Sequence, residues 1–240
     1  MKLYSVQIKP ETPESNLRRV LKFLEKVEPN SIVLLPELWY SGFDAKNYLK
    51  ETKRVISLLK KISLKKKILI SGTFAQEIRG KIYNLAYLIY EGKVLGKRGK
   101  IKLFPLFGEN KTFSPWKENR VFDTPFGRIG FLICFELRFT DLVLELRRKK
   151  PHIVLVPAQW GYARREHLRV LSRARAIELQ SYLVLSDTWG EGNGTRFAGQ
   201  SAIYSPWGEV LAFSEEGDTL LEADYRPQYV EKVRKALPVL

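Results

Sequence analysis

Apolar runs of strand length alternate along this chain with segments of helical period, which restricts it to an α/β architecture around buried, largely parallel strands. The runs at 3–8, 32–35, 67–77, 127–135, 153–156 and 182–186 are rich in apolar and β-branched residues, as strands covered on both faces are. Between them, 15–27, 47–62, 140–149 and 163–180 carry helical spacing. A hairpin runs through 84–90, turns at Glu91-Gly92 and returns over 94–97. Two more strands flank Pro206-Trp207-Gly208, a last strand covers 219–223, and a short basic helix covers 229–235. That makes about a dozen strands, divided between two sheets. No linker or shift of composition interrupts the 240 residues, so 1–240 reads as one domain.

One internal echo stands out. Ile32-Val33-Leu34-Leu35-Pro36-Glu37-Leu38-Trp39 and Ile153-Val154-Leu155-Val156-Pro157-Ala158-Gln159-Trp160 agree at five of eight positions. Strands that end alike suit a pseudo-symmetric sandwich of two related sheets; convergence of buried-strand composition is the alternative.

Charge and rare residues exclude several classes. Lys and Arg total 41 against 26 Asp and Glu, a net charge of +15. The clusters Lys60, Lys61, Lys65, Lys66, Lys67 and Arg147, Arg148, Lys149, Lys150 sit where helices end, and cations suit those ends. No aromatic residues interleave them to stack bases, so they read as solvated surface, with no nucleic-acid partner. Cys134 is the only cysteine, and with His152 and His167 it cannot assemble a structural zinc site; no metal is expected. The first residues lack a signal-peptide core, and no run reaches the roughly 18 apolar residues of a spanning helix. The expectation is a cytoplasmic protein without a membrane partner.

In open α/β sheets reactive groups lie just beyond the carboxyl ends of strands. Glu37 follows Ile-Val-Leu-Leu-Pro, where partial desolvation suits a general base, although a capped strand end would look the same. Cys134 follows Ile129-Gly130-Phe131-Leu132-Ile133, as a nucleophile or as an inert buried thiol. A nucleophilic thiol needs a base and an oxyanion donor. Lys100, in a loop leading back to apolar residues, is a candidate donor or a surface cation. Glu109, in Phe107-Gly108-Glu109-Asn110, is a second carboxylate or an exposed loop acid. Trp39 and Trp160, which end the echoing segments, are candidate pocket walls. Arg164 and Arg165, at a helix start, could grip a substrate carboxylate or simply be solvated.

Together these segments resemble the nitrilase superfamily of carbon–nitrogen hydrolases across nearly the whole chain. Leu-Leu-Pro-Glu37 is similar to the base motif, Arg98-Gly99-Lys100-Ile101-Lys102-Leu103-Phe104 to the lysine motif, and Gly130-Phe-Leu-Ile-Cys134-Phe-Glu-Leu-Arg138-Phe to the nucleophile motif. The family often has Tyr at 98, Arg at 99 and His at 102, so packing beside Lys100 is expected to differ. The segments Trp160–His167, 191–194 and Phe197-Ala198-Gly199 look most like the omega-amidase branch.

The resemblance implies a four-layer αββα sandwich assembled as a homodimer or higher homo-oligomer. It implies a thiol amidase acting without cofactor on a small amide, most simply a short dicarboxylate monoamide such as 2-oxoglutaramate. Glu37 would be the base, Cys134 the nucleophile, Lys100 and the Phe135 backbone N–H the oxyanion donors, and Glu109 an aid to the water step. Another small amide or a nitrile is the alternative substrate. A His-based thiol hydrolase and a noncatalytic basic binding module are the rival readings.

Overall fold

The computed structural model describes residues 1–192 and 194–239; Asn193, within the 191–194 segment read above, lies outside them. Sheet one contains β1 (Lys2–Gln7), β2 (Ile32–Leu34), β3 (Leu69–Ile78), β4 (Lys81–Tyr90), β5 (Lys93–Gly99) and, at its edge, β14 (Thr219–Asp224), in the order β14-β1-β2-β3-β4-β5. Sheet two contains β6 (Phe122–Thr124), β7 (Gly127–Phe131), β8 (Ile153–Pro157), β9 (Tyr182–Ser186), β12 (Ser201–Tyr204) and β13 (Val210–Ser214), in the order β13-β12-β9-β8-β7-β6. A separate ribbon pairs β10 (Trp189–Gly192) with β11 (Thr195–Ala198). The described residues thus hold fourteen strands. The three that sequence did not separate, β6, β10 and β11, are short and rich in Gly, Asp or Thr, so they lack a strand's apolar signature.

The sheets share one plan. β1, β2 and β3 run parallel with an antiparallel strand on either side, and β7, β8 and β9 do the same. The echoing segments begin at β2 and β8, the middle parallel strands of the two sheets. Their ends meet: the Glu37 N–H donates to the Ala158 carbonyl at 3.3 Å, and Gln159 Nε2 donates to the Glu37 carbonyl at 2.6 Å.

Side-chain alternation sorts the layers. Leu3, Ile32, Leu34 and Leu69 face inward to pack with sheet two, while Tyr4, Val6, Val33, Leu35 and Ile70 face out to α1 (Pro13–Lys26) and α2 (Leu49–Lys66). Helix α1 starts where Thr12 accepts the Ser15 N–H, with Pro13 in the first turn, and buries Val20 and Leu24 at four-residue spacing. Helix α2 ends at Lys67 in a left-handed cap, so the lysine run lies at a carbonyl-rich terminus. Between α2 and sheet two comes a short helix, α3 (Glu109–Thr112). Helices α4 (Thr140–Lys149) and α5 (Arg165–Leu179) cover the outer face of sheet two, and α6 (Pro227–Ala236) follows β14. The result is the αββα sandwich. Among the described residues no helix is long and apolar enough to cross a membrane.

One expected strand is shorter than its apolar run. β7 stops at Phe131, not at 135. The Ile133 N–H is taken by the Glu136 side chain instead of a neighbouring strand, and Cys134 adopts φ +49°, which no strand residue can.

Candidate active site

Three strand ends and one short helix bring ionisable groups together between the sheets. Glu37 lies just beyond β2, Lys100 just beyond β5, Glu109 opens α3, and Cys134 opens a one-turn 3₁₀ segment, Cys134–Arg138, beyond β7. All four are buried. Lys100 Nζ bridges the two carboxylates, at 2.7 Å from Glu37 Oε1 and 2.6 Å from Glu109 Oε1. Asn84 on β4 donates to the same Glu37 oxygen at 2.7 Å, while Glu109 Oε2 accepts the Phe104 N–H at 2.8 Å. Glu37 Oε2 is buried and has no hydrogen-bond partner.

Electrostatics give the groups different states. Burial opposes the Lys100 charge, but the Glu37 and Glu109 carboxylates outweigh it and hold the ammonium above its ordinary value. Burial pushes the Cys134 thiol well up, with Glu37 adding to the rise and Lys100 opposing it. The rise favours the thiol over the thiolate at Cys134. Burial raises Glu109 to about 7 against the pull of Lys100, so two carboxylates and one cation share a dry site in which one acid is poised near neutrality.

The left-handed Cys134 sits at the floor of a narrow cavity lined by Phe104, Phe135, Gln159, Trp160, Arg138 and Arg164, among others. Trp160 lines this cavity, with Nε1 donating to the Arg164 carbonyl at 2.8 Å. Arg164 also reaches the cavity, its guanidinium 5.4 Å from the Phe104 ring centre. Two expectations are corrected. Trp39 does not line this cavity: it packs edge-on against Tyr40 and Phe74 in the core under α1 and α2, and borders a neighbouring cavity. Arg165 is also absent from the wall, because its guanidinium stacks 4.3 Å from the Tyr162 ring centre. The one-turn segment Tyr162–Arg164 rotates successive side chains to different sides, so adjacent arginines cannot share one pocket.

Sequence reasoning passed over Arg138 as a wall residue. It lies over Trp160 at 4.8 Å and touches His167 Nδ1 at 3.1 Å. Burial and the neighbouring Arg164 charge lower the Arg138 guanidinium below its ordinary value. Among the described residues neither arginine forms an ion pair with a carboxylate. Its place four residues after Cys134, at the other end of the same 3₁₀ segment, was the available signal. The histidines lie elsewhere: His152 pairs with Glu231 and accepts the Arg128 N–H, and His167 contacts Arg138. Among the described residues no three His, Cys, Asp or Glu side chains converge as a metal-binding group.

The departures around Lys100 have a local cause. A Cβ at Gly99 would lie 2.9 Å from Trp116, so the indole excludes a side chain there, and Arg98 makes the buried pair with Glu136.

Comparison with known proteins gives the family. The carbon–nitrogen hydrolase family profile matches residues 3–235. The chain belongs to that family and is an enzyme of its class. A 2-oxoglutaramate amidase of Bacillus subtilis (strain 168) is 30% identical over 234 residues, covering 95% of this chain and 90% of that protein. Omega-amidase NIT2-B of Xenopus laevis is 30% identical, covering 93% and 87%. The crystal structure of Saccharomyces cerevisiae Nit3, a member of branch 10 of the nitrilase superfamily, superposes with a TM-score of 0.88 at 26% identity, covering 100% of this chain and 94% of that one. A carbon–nitrogen hydrolase from Helicobacter pylori G27 shares the fold, with a TM-score of 0.89 at 19% identity and coverage of 99% and 93%.

Proposed function

We propose that this chain is a thiol amidase that removes the terminal amide of a short dicarboxylate monoamide, such as 2-oxoglutaramate, as one catalytic domain without a cofactor. The observation that carries the chemistry is the buried set Glu37–Lys100–Glu109 beside the Cys134 thiol, with one Glu37 oxygen unpartnered. Glu37 Oε2 takes the thiol proton, and the thiolate attacks the amide carbonyl. Lys100 and the Phe135 backbone N–H stabilise the oxyanion, and Glu37 returns the proton to departing ammonia. Water, deprotonated by Glu37 and oriented with Glu109, then opens the thioester and releases the acid.

Substrate choice rests on two cavity arginines that have no carboxylate partner among the described residues. Arg138 and Arg164 repel one another until an anion joins them, which favours a substrate with a free carboxylate over a neutral amide or nitrile. The omega-amidase relatives support the same reading. An ammonia-release screen over glutaramates, succinamates, neutral diamides and nitriles tests it. The monoamides should lead by at least tenfold; faster turnover of neutral amides or nitriles would overturn the dicarboxylate reading and leave the thiol mechanism standing.

We further propose a cytoplasmic homodimer or higher homo-oligomer, with nucleic acid and membrane playing no part. Ile177 on α5 and Trp207, on the turn packed against that helix, are both exposed and offer an apolar contact for a second copy. Sedimentation velocity should report a species larger than the 27.8 kDa chain, and a monomer at all concentrations would refute the assembly.

A further inference from the structure

Asp187, directly after β9, is a carboxyl group that neither the sequence motifs nor the proposed chemistry uses. It is fully buried. Its Oδ1 accepts the Trp160 N–H at 2.8 Å, and its Oδ2 has no hydrogen-bond partner. No ion pair joins it to a cation among the described residues. Burying an ionised carboxylate without a cation beside it is costly, which favours the protonated form. The direction of its titration agrees: burial raises it well above the ordinary value, the Trp160 and Thr188 backbone N–H groups oppose the rise, and Glu37 adds to it.

What Asp187 holds matters to the site. The Ala158–Trp160 segment binds the Glu37 backbone on one side and supplies Gln159 and Trp160 to the cavity on the other. The turn after β2 is also pinned from the neighbouring strand, one position earlier in the echo, with the Leu38 N–H donating to Thr73 Oγ1 at 2.8 Å. There the acceptor is a neutral hydroxyl, so a neutral group is enough to pin a turn of this kind. A charge on Asp187 would do harm: Glu37, Cys134, Glu109 and Lys100 lie together on the facing elements, and another anion would raise the thiol further.

We propose that Asp187 is a positioning residue that works as a neutral carboxylic acid, fixing the Trp160 segment against the cavity and Glu37 without adding charge beside the nucleophile. Its catalytic consequence rests on the amidase reading above, but its protonation state does not. Asp187→Asn preserves a neutral acceptor, and Asp187→Ala removes it. The infrared difference spectrum of wild type minus Asp187→Asn, recorded near pH 7 without substrate, should contain a protonated-carboxyl C=O band. In steady-state assays Asp187→Asn should keep kcat/KM within about threefold of wild type, while Asp187→Ala should lose about 10- to 100-fold. Carboxylate bands in the difference spectrum, an Asn variant as impaired as the Ala variant, or an Ala variant at the wild-type value would each overturn the proposal. Absence of amidase activity in the wild type would instead overturn the function assigned above, leaving the infrared result to decide the state of Asp187.

Discussion

Two buried ionic clusters begin two residues apart on the chain and are finished in opposite ways. Arg98 ends in one whose carboxylate has both oxygens hydrogen-bonded. Glu136 accepts Arg98 and the Ile133 N–H on one oxygen, and the Ile101 and Lys102 N–H groups on the other at 2.6 and 3.4 Å, while Asn119 takes a second Arg98 nitrogen. Only Arg98 Nε is left over. This carboxylate binds residues on both sides of Lys100 to residues beside Cys134. Lys100 ends in the unsaturated cluster, where two carboxylates share one ammonium and Glu37 Oε2 has no partner. The difference separates positioning from reactivity. A fully hydrogen-bonded carboxylate cannot readily take a proton, whereas an unpartnered oxygen beside a thiol can.

The comparison breaks if the same substitution has the same effect in both clusters. Glu37→Gln should cost the largest factor, about 10³-fold or more in kcat with the fold intact, because the amide still accepts hydrogen bonds but cannot take a proton. Glu136→Gln should act on stability, lowering it by about 3–5 kcal/mol in chemical denaturation by leaving Arg98 buried without its counter-charge. Equal catalytic losses with unchanged stability in both variants would erase the distinction.

Smaller effects sharpen it. Lys100→Met keeps the stem and deletes the cation, and should lower kcat on the order of 10²-fold; a change confined to KM would make Lys100 a binding group only. Arg138→Met or Arg164→Met should remove roughly 2–4 kcal/mol from kcat/KM for a dicarboxylate monoamide and leave the neutral diamide nearly unchanged. Arg165→Met, stacked on Tyr162 outside the cavity, should not reproduce that selectivity. The smallest effect concerns pH. Glu109 is raised to about 7, and its ionised form is the one that accepts from Lys100, so activity should fall as pH drops through that region. Glu109→Gln should lack this acid limb; its persistence would assign the titration to another group.

What the sequence disclosed follows from which interactions leave a mark in one dimension. Glu37, Lys100 and Cys134 were legible because each follows a long apolar or strand segment, and a polar residue there has few structural excuses. The two-sheet plan was legible from the same runs and from the echo, which falls on the middle parallel strands β2 and β8. The echo also misled. It drew Trp39 to the cavity beside Trp160, yet Glu37 and Ala158 are where the halves diverge, and Trp39 turns into the outer core. The end of β7 was invisible because Leu132 and Ile133 are as apolar as the strand, and only the distant-in-space contacts of Glu136 stop it. Arg138 looked like one cation among many; its position over Trp160 exists only after folding. Asp187 sits in Ser-Asp-Thr, which reads as an ordinary polar turn.

In the proposed mechanism Cys134 forms the bond to substrate and the two carboxylates around Lys100 do unequal work. Rapid chemical quenching followed by intact-protein mass measurement tests this directly, with a dicarboxylate monoamide as substrate. Wild type should show a transient acyl adduct on Cys134, and Glu109→Gln an adduct that persists longer. Glu37→Gln and Cys134→Ala should show none. Turnover by Cys134→Ala at the wild-type rate, or an adduct accumulating in Glu37→Gln as fast as in wild type, would contradict the account.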